Sequence, residues 1–384
     1  MVSLLNVKRQ TAGIRAELDA AIARVLDHAQ FILGPEVREL EEKIAAYCGT
    51  RHAVGCASGS DAVMLPFLAL GLQPGDTVVT VPFTFFATAG SLSHLRLQPR
   101  FVDIDPHTFN MDPAQLEKAI RGAKAILPVH LFGQCADMDA INGIAARHHV
   151  PVIEDAAQAI GAEYKGRRAG SLGWCGAFSF FPSKNLGACG DGGMITTDDE
   201  RLAEKLRMLR VHGTRVRYYH ELAGVNSRLD TLQAAILLVK LRHLEQWTER
   251  RRANAARYRE LLHDADVALP AAETGESRHI YNQFTIRVKN RDAVKKRLAD
   301  AGIGSEIYYP VPLHLQERYA DLGYKPGDFP ESERACAEVL SLPIEEGLSE
   351  GDIEAVAGAV REAVGQDTGR TASSRGIGPA KGVL

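Results

Sequence analysis

A lysine and an acid in this sequence have the surroundings of groups that act together on a carbonyl compound. Lys184 follows the aromatic run 178–181 (FSFF) and precedes Gly187. An amine shielded from water by such neighbours can remain unprotonated and form a Schiff base with an aldehyde. Asp155 ends an apolar stretch that begins at Pro151. If that stretch is a parallel strand, Asp155 lies at its carboxyl end, where open α/β sheets bind ligands.

An anion site is indicated upstream of this pair. The small residues 57–62 (ASGSDA), here called the cup, separate the strand-like stretch 52–56 from an apolar stretch at 63–72. At such a junction, backbone N–H groups and the positive end of the helix dipole face an anion, which Gly59 and Ser60 would contact. The alternative is that a serine of the cup only caps the helix, a common arrangement.

An aromatic side chain that could lie on a flat ring comes between the cup and the acid. Phe85 belongs to 82–86 (PFTFF), directly after a β-rich stretch, and could stack on such a ring. The alternative is a core role, which must hold for at least one of the three phenylalanines. The order of cup, aromatic ring, acid and lysine matches what pyridoxal phosphate (PLP) requires of a protein. The sequence therefore predicts PLP as the cofactor and no metal.

The sequence resembles the DegT/StrS-type nucleotide-sugar aminotransferases, PLP enzymes of the aspartate-aminotransferase fold type I, over about residues 10 to 365. The segments that carry the resemblance are, in chain order, 31–35 (FILGP) with Glu41, 59–62 (GSDA), 75–76 (GD), 101–105 (FVDID), 129–133 (VHLFG), 153–158 (IEDAAQ), 179–180 (SF) ahead of Lys184, 212–213 (HG) and 226–233 (NSRLDTLQ). Where the family usually has Asn-Gly-Thr, this sequence has Ser58-Gly59-Ser60, and the serine at the third position keeps the hydroxyl group.

The resemblance implies a role for each site residue. Lys184 and Asp155 would be catalytic: the lysine holds the cofactor and shuttles the proton, and the aspartate pairs with the pyridine nitrogen. Gln158 would bind the ring hydroxyl and Phe85 would stack on the ring. The implied phosphate ligands are Gly59, Ser60, Ser179 and, from the neighbouring subunit, Asn226.

The resemblance also implies the reaction. A keto group on a nucleotide-linked sugar would become an amine, with L-glutamate as the expected donor, in a homodimer whose active sites are shared. Gln158 and the segment 129–134 are closer to members that aminate C-3 than to the C-4 group, which often has histidine in place of that glutamine.

Candidate substrate contacts lie further along the chain. Arg215 and Arg217 could bind a nucleotide diphosphate, which favours guanidinium partners, although ordinary surface charge is an equal alternative. Arg228 and His314 belong to segments that the resemblance places at the subunit boundary and near the sugar.

Two other functions are compatible with this scaffold. Related enzymes use PLP to dehydrate a sugar, but histidine there replaces the Schiff-base lysine, so Lys184 argues against that reaction. A non-catalytic sensor or scaffold could keep the fold after losing catalysis. The presence of cup, acid and lysine together argues against this second alternative.

Composition excludes several classes of partner. The chain has 384 residues, of which 45% are hydrophobic and 24% charged, as in a soluble globular protein of about two domains. A net charge of −3 gives no electrostatic case for binding nucleic acid or membranes. Without a signal-peptide pattern or a membrane-spanning stretch, a cytoplasmic location is expected. The cysteines lack C-x-x-C spacing, so neither zinc nor a disulfide framework is predicted.

The elements that must position these residues alternate along the chain. Predicted strands occupy 78–81, 100–103, 125–130, 150–155, 177–181 and 192–197, with helices between them. This alternation predicts an α/β fold with a mainly parallel sheet, covered on both faces, which fold type I builds from seven strands. Predicted helices at 13–30, 36–48, 200–209 and 229–250 complete the large domain.

The expected division of the chain is a large cofactor-binding domain over 1–250, a smaller α+β domain over 251–365 and a flexible tail over 366–384. The last predicted helix covers 349–364. The tail is small and polar without periodicity, so it cannot bury enough apolar surface to become ordered. Asp103 and Asp105 alternate along a strand end and are expected to point to opposite faces rather than to form a catalytic pair.

Overall fold

A computed structural model of the chain describes residues 1–271, 275 and 277–373. The helices in chain order are α1 (Val7–Gly13), α2 (Arg15–His28), α3 (Pro35–Cys48), α4 (Gly59–Leu70), α5 (Ala87–His94), α6 (Pro113–Ala119), α7 (Met138–His148), α8 (Glu200–Leu209), α9 (Thr231–Leu241), α10 (Leu244–Leu262), α11 (Arg291–Asp300), α12 (Pro330–Glu338) and α13 (Glu350–Ser373). The strands are β1 (His52–Cys56), β2 (Thr77–Thr80), β3 (Gln98–Phe101), β4 (Ala125–Ile126), β5 (Ile153–Asp155), β6 (Glu163–Tyr164), β7 (Arg167–Arg168), β8 (Cys175–Ser179), β9 (Gly193–Thr197), β10 (Thr214–Val216), β11 (Tyr219–His220), β12 (Phe284–Arg287) and β13 (Val339–Leu342).

A central sheet organises the first two thirds of the chain. Its strands pair in the orders β1-β9-β8-β5 and β3-β2-β4. Parallel bridges from Ile126 to Val152 and from Val129 to Asp155 join the two groups. The sheet order is therefore β1-β9-β8-β5-β4-β2-β3, with β9 antiparallel to its neighbours and the other pairs parallel. The predicted α/β class with a mainly parallel, seven-stranded type of sheet is confirmed.

Both faces of this sheet are buried, which explains why its strands are almost continuously apolar. Successive side chains of a strand point to opposite faces. Val78 accordingly packs in one core cluster and Val79 in another. The first cluster includes Val54 and Leu206, and the second includes Leu40 and Leu237. Two helical layers thus enclose the sheet, and the polar site groups are confined to its edge.

A C-terminal unit packs around the antiparallel pair β12–β13. Its core joins α11, α13 and the second half of α10, with Tyr258, Phe284 and Leu298 among the buried side chains. The first residues of the chain add to this unit, since Val2 forms a parallel bridge with Ile303. The sequence analysis assigns these residues to the large domain, because a single β-bridge produces no recognisable pattern in the sequence. The division at residue 250 falls within α10 and stays a prediction.

The two parts of the chain are joined by Asp103. Its carboxylate accepts hydrogen bonds from the Glu331 amide at 2.8 Å and from the Ser332 hydroxyl at 2.6 Å, at the start of α12. Asp105 instead accepts from the amides of His107 at 2.9 Å and Thr108 at 2.8 Å. The two acids have separate partners and do not form a catalytic pair.

The last helix is longer than the sequence indicated. It was expected to end at Val364, whereas α13 continues to Ser373 and includes the first residues assigned to the tail. Extending a helix that is already formed costs little per residue, even without apolar burial. Residues 374–384 of the predicted tail lie outside the described residues. Among the residues that are described, no helix is long and apolar enough to cross a membrane.

Candidate active site

Asp155 stands at the carboxyl end of β5, beneath the first turn of α5. The Thr88 hydroxyl donates to its Oδ2 at 2.7 Å, and the Ala157 amide donates to its Oδ1 at 3.2 Å. Burial raises the pKa of Asp155, while Thr88, Ala157 and the Lys184 ammonium act in the opposite direction. These specific partners, rather than water, therefore favour the ionised form of the carboxylate against the effect of burial.

A second threonine stands behind the first. The hydroxyls of Thr84 and Thr88 lie 2.9 Å apart, and both side chains are buried. A carboxylate can only accept hydrogen bonds, so the Thr88 proton points to Asp155 and Thr84 donates to Thr88. Hydrogen bonds in series polarise and strengthen one another. No sequence pattern marks these threonines, and sequence reasoning missed them.

Lys184 lies in the turn that follows β8. Its backbone amide donates to Phe181 O at 2.9 Å. The turn is so tight that a side chain at Gly187 would collide with the carbonyl of Pro182. Since β8 pairs in parallel with β5, the lysine and Asp155 come to the same edge of the sheet.

The surroundings of Lys184 make its amine reactive. Burial lowers the pKa of Lys184 to about 8, although the Asp155 carboxylate acts in the opposite direction. At pH 7 about one amine in ten is then neutral, compared with fewer than about one in a thousand at the ordinary lysine pKa. A neutral amine is the form that attacks a carbonyl carbon.

A second, fully buried lysine supports this turn from α9. Lys240 Nζ donates to the Gly187 carbonyl at 2.6 Å, and burial lowers the pKa of Lys240. On the opposite side, the Asn185 side chain donates to Ile280 O at 3.3 Å. The segment that carries Lys184 is thus fixed by both the sheet domain and the chain beyond α10.

The cup forms the start of α4, as the sequence predicted. Ser58 caps the helix by accepting from the Asp61 amide at 3.1 Å. The amides of Gly59 and Ser60, in the first turn, have no intrahelical acceptor. A Cβ atom on Gly59 would lie 2.5 Å from Ser179 Cβ, so α4 begins directly against the end of β8. The structure therefore brings the three residues of this chain that were predicted to bind phosphate together.

Gln158 links two further residues at the site. Its Oε1 accepts from the Phe132 amide at 2.8 Å, and its Nε2 donates to the Tyr309 hydroxyl at 3.0 Å. The ring of Tyr309 lies 5.9 Å from that of Phe85. Phe85 is 56% exposed and has a face available, whereas Phe83 is 0% exposed and takes the core role. Tyr309 comes from a distant segment, and sequence reasoning did not single it out.

Glu154, which precedes Asp155 in β5, has a structural role. Glu154 is fully buried and accepts from the amides of Gly170, Leu172 and Gly173, each at 2.7 Å. His130 Nε2 lies 2.9 Å from the same carboxylate. These partners saturate Glu154, so the loop before β8 is fixed and only Asp155 is left for a ligand.

The other predicted contacts, apart from His314, lie in the segment between the start of β10 and the start of α9. Asn226 is exposed and pairs with Val211 in an antiparallel bridge. Arg215 and Arg217 belong to the exposed hairpin β10–β11, where Arg215 Nε lies 3.7 Å from Glu221 Oε1. Arg228 is partly buried, and its Nε has no hydrogen-bond partner within the described part of the chain.

His314 does not have the exposure that a substrate contact needs. The residue is 2% exposed, its Nε2 lies 3.1 Å from Glu333 Oε1, and its ring packs 4.8 Å from that of Phe329. Burial among aromatic side chains leaves no face of the ring for a sugar. The structure therefore argues against the contact that the resemblance implied for this residue.

Comparison with known proteins decides the family. Residues 13–361 match the model of the DegT/DnrJ/EryC1/StrS aminotransferase family. The chain belongs to this family. It is a PLP-dependent aminotransferase, and solved structures of its relatives include one with the amine form of the cofactor bound.

Individual relatives cover nearly the whole chain. It is 51% identical to the "Pleiotropic regulatory protein" of Geobacillus stearothermophilus, over 91% of this chain and 95% of that one. It is 45% identical to the UDP-2-acetamido-2-deoxy-3-oxo-D-glucuronate aminotransferase of Pseudomonas aeruginosa, over 94% and 99%. The crystal structure of DesV from S. venezuelae matches with a TM-score of 0.92 at 44% identity, over 94% and 98%.

The residues at the edge of the sheet fit the family's cofactor. Free amides at a helix start suit a phosphate, and the buried carboxylate of Asp155 suits a protonated ring nitrogen. Lys184, with its lowered pKa, would supply the amine for the aldehyde. The group expected from a neighbouring subunit would complete this set of donors.

Proposed function

We propose that this aminotransferase converts a keto group of a nucleotide-linked sugar into an amine, at C-3, with L-glutamate as the donor. The observation that carries the proposal is the lowered pKa of Lys184 at the same sheet edge as the Asp155 carboxylate. Transamination needs two protein groups, an amine whose pKa lies near neutrality and a carboxyl group that can pair with the ring nitrogen. PLP, when bound, supplies the electron sink.

In this proposal Asp155 pairs with the ring nitrogen and keeps it protonated. Lys184 would hold the cofactor and, as a free amine, would move the proton to and from the substrate carbon. Its lowered pKa suits this role because a base with a pKa near the working pH can both accept and return a proton.

The remaining groups bind and orient. Gln158 has one amide hydrogen left after its bond to Tyr309 and would donate it to the ring hydroxyl. Burial raises the pKa of Tyr309, so its phenol stays protonated near neutral pH. Phe85 would stack on the ring through its exposed face. The amides of Gly59 and Ser60, with Ser179, would bind the phosphate.

The names of the relatives support the proposed substrate class and carbon atom. One close relative is named for a 3-oxo sugar linked to UDP, and others at 45% and 42% identity are named for 3-amino sugars linked to dTDP. The glutamine at position 158 is consistent with amination at C-3, because enzymes that aminate C-4 frequently have histidine at that position. Arg228, whose Nε lacks a partner in the described chain, is a candidate contact for an anionic group of either substrate.

The proposal includes a homodimer with shared sites. The large apolar or aromatic side chains that are at least 40% exposed include Phe31, Ile32, Leu33, Phe181, Val216, Tyr218 and Tyr219. Phe181 precedes Lys184 by three residues, so a partner that covers these side chains would also reach the site. A two-fold axis makes such contacts reciprocal, and Asn226 of each chain would then complete the other chain's phosphate site.

A regulatory role is the alternative, because the relative at 51% identity is named a regulatory protein. The lowered pKa of Lys184 and the hydrogen bonds that Thr88 and Ala157 donate to Asp155 favour catalysis. A dehydration reaction is disfavoured by the presence of Lys184 itself.

A two-step spectroscopic experiment tests the proposal. L-Glutamate added to the PLP-loaded protein should bleach its visible absorbance, and a 3-keto nucleotide sugar should then restore it. A 4-keto sugar, added in parallel, should restore it more slowly. No bleaching with any amino acid would favour the regulatory alternative, and faster recovery with the 4-keto sugar would contradict the C-3 assignment.

A further inference from the structure

One buried hydroxyl holds both ends of the turn that opens α4. The Ala57 amide donates to Ser227 Oγ at 3.2 Å, and Ser227 Oγ lies 2.7 Å from Asp61 Oδ2. The carboxylate can only accept, so the hydroxyl proton goes to Asp61 and a lone pair receives the Ala57 amide. Ser227 is 0% exposed, and this arrangement uses its hydrogen-bonding capacity on the cup.

Ser227 is itself held firmly. Its amide donates to Arg210 O at 3.0 Å. The Arg210 guanidinium pairs with the Glu41 carboxylate and donates to Gly55 O at 2.8 Å, all in the buried layer beneath β1. The Glu41 carboxylate also accepts from the Gly55 amide at 2.8 Å. The hydroxyl therefore has a fixed position relative to the strand that leads into the cup.

The cup is enclosed on its other side by the sheet. A Cβ atom on Gly59 would lie 2.5 Å from Ser179 Cβ, and one on Gly193 would collide with the Ser58 carbonyl. The turn is thus confined between β8, β9 and Ser227. A small shift of Ser227 would move the free amides of Gly59 and Ser60.

Two opposing electrostatic effects act on Asp61 at this position. An acid in the first turn of a helix is favoured by the helix dipole. A phosphate bound at the same helix start is repelled by that acid, because both carry negative charge. The bond to Ser227 gives this carboxylate a further role, which is to hold the cup in place.

We propose that Ser227 is a positioning residue for the cofactor phosphate, acting through Ala57 and Asp61 to aim the amides of Gly59 and Ser60. The proposal rests on the placement of the phosphate at the start of α4. It concerns affinity for the phosphate group, and the rest of the cofactor is unaffected.

Two substitutions of Asp61 isolate the hydrogen bond from the charge. Asp61→Asn and Asp61→Ala both remove the negative charge, but only asparagine keeps an acceptor for Ser227. Dissociation constants of the apoprotein variants are measured for PLP and for pyridoxal, which lacks the phosphate. We expect the Ala variant to bind PLP about five- to tenfold more weakly than the Asn variant, the effect of one well-placed hydrogen bond. Both should bind pyridoxal equally. Equal PLP affinity of the two variants would overturn the proposal.

Ser227→Ala should cause at least as large a loss for PLP and none for pyridoxal, because it removes the bond from Ala57 as well as the bond to Asp61. In the Ser227→Ala background, Asp61→Asn and Asp61→Ala should bind PLP equally, because the difference between them depends on the Ser227 hydroxyl. Thr285→Val, which removes another buried hydroxyl 2.8 Å from Ser341 Oγ in the C-terminal unit, is the control and should change neither affinity. An equal loss for PLP and pyridoxal in Ser227→Ala would show a general structural role and overturn the proposal.

The affinities of the wild-type protein for PLP and pyridoxal distinguish a failure of this proposal from a failure of the phosphate placement on which it rests. If the wild-type protein binds pyridoxal as tightly as PLP, the phosphate is not bound at the start of α4 and both assignments fail. If it prefers PLP and the Asp61 variants do not differ, only the role of Ser227 fails. Should Ser227→Ala not fold, the two Asp61 variants decide the matter by themselves.

Discussion

The hydroxyl of Thr88 donates a 2.7 Å hydrogen bond to Asp155 Oδ2 and thereby opposes the rise in pKa that burial imposes on this acid. The threonine is supported in turn by Thr84. A pair of neutral side chains, in α5 and in the loop before it, thus contributes to the stabilisation of the charge on the acid.

Replacing Thr88 with valine, which has the same shape without the hydroxyl, should raise the pKa of Asp155. A hydrogen bond to a charged group contributes about 1.5–3 kcal/mol, or about one to two pH units. The pKa can be followed in the apoprotein by NMR of carboxyl-labelled aspartate. Thr88→Ser should restore the wild-type pKa. An unchanged pKa in the valine variant would show that Thr88 does not stabilise the carboxylate.

Asp155→Asn should reduce turnover by several orders of magnitude while the occupancy of PLP falls much less. The amide keeps the size of the side chain but carries no charge to hold the ring nitrogen protonated. Turnover and bound PLP are measured on the same preparation. A nearly unchanged rate would mean that Asp155 is only a structural acid at the end of β5.

The rate at which the apoprotein attaches PLP should increase with pH, reach half of its maximum near pH 8 and level off about one unit above that. The neutral amine is the reactive form, and burial lowers the pKa of Lys184 to about 8, so the neutral fraction grows about tenfold per unit below that value. Stopped-flow absorbance gives the rate at each pH. A rate that still rises above pH 10 would indicate an unperturbed lysine.

Lys184→Ala should fold and bind PLP without covalent attachment, and it should have no measurable turnover. Lys184→Arg, which keeps a cation but not a nucleophile, is the matched control and should be equally inactive. Circular dichroism measures folding, and an activity assay measures turnover. Substantial transamination by either variant would show that another lysine carries the cofactor.

Mixing Lys184→Ala protein with Asn226→Asp protein should restore activity if two chains share each site. A carboxylate at residue 226 would repel the partner's phosphate, so each parent is inactive. In the mixed dimer, one of the two sites carries neither change. Subunit exchange is verified by native mass spectrometry. Exchange without recovery of activity, or an active monomer, would contradict the shared site.

Much of the fold was accessible from the sequence because buried parallel strands are apolar on both faces. The segments around Val78 and Ile153 were predicted as strands for this reason, and they are strands. The bridge of Val2 was missed since a single pairing has no periodicity. The end of α13 was placed too early because composition does not report how far an exposed helix continues.

The site was accessible only in part. Lys184, Asp155 and the cup stand out because their types and order suit one cofactor. Tyr309 and Thr88 are ordinary in their local sequence, and only the tertiary structure brings them to Gln158 and Asp155. His314 was a candidate because of its motif, and its burial could not be read from that motif.

Transfer of isotopic nitrogen tests the central claim most directly. The PLP-loaded enzyme is incubated with ¹⁵N-labelled L-glutamate and a 3-keto nucleotide sugar, and the product is analysed by mass spectrometry and NMR. The account predicts one ¹⁵N atom in the sugar, bonded to C-3, with release of 2-oxoglutarate in equal amount, and none with Lys184→Ala. A sugar without the label, or one labelled at C-4, would contradict it.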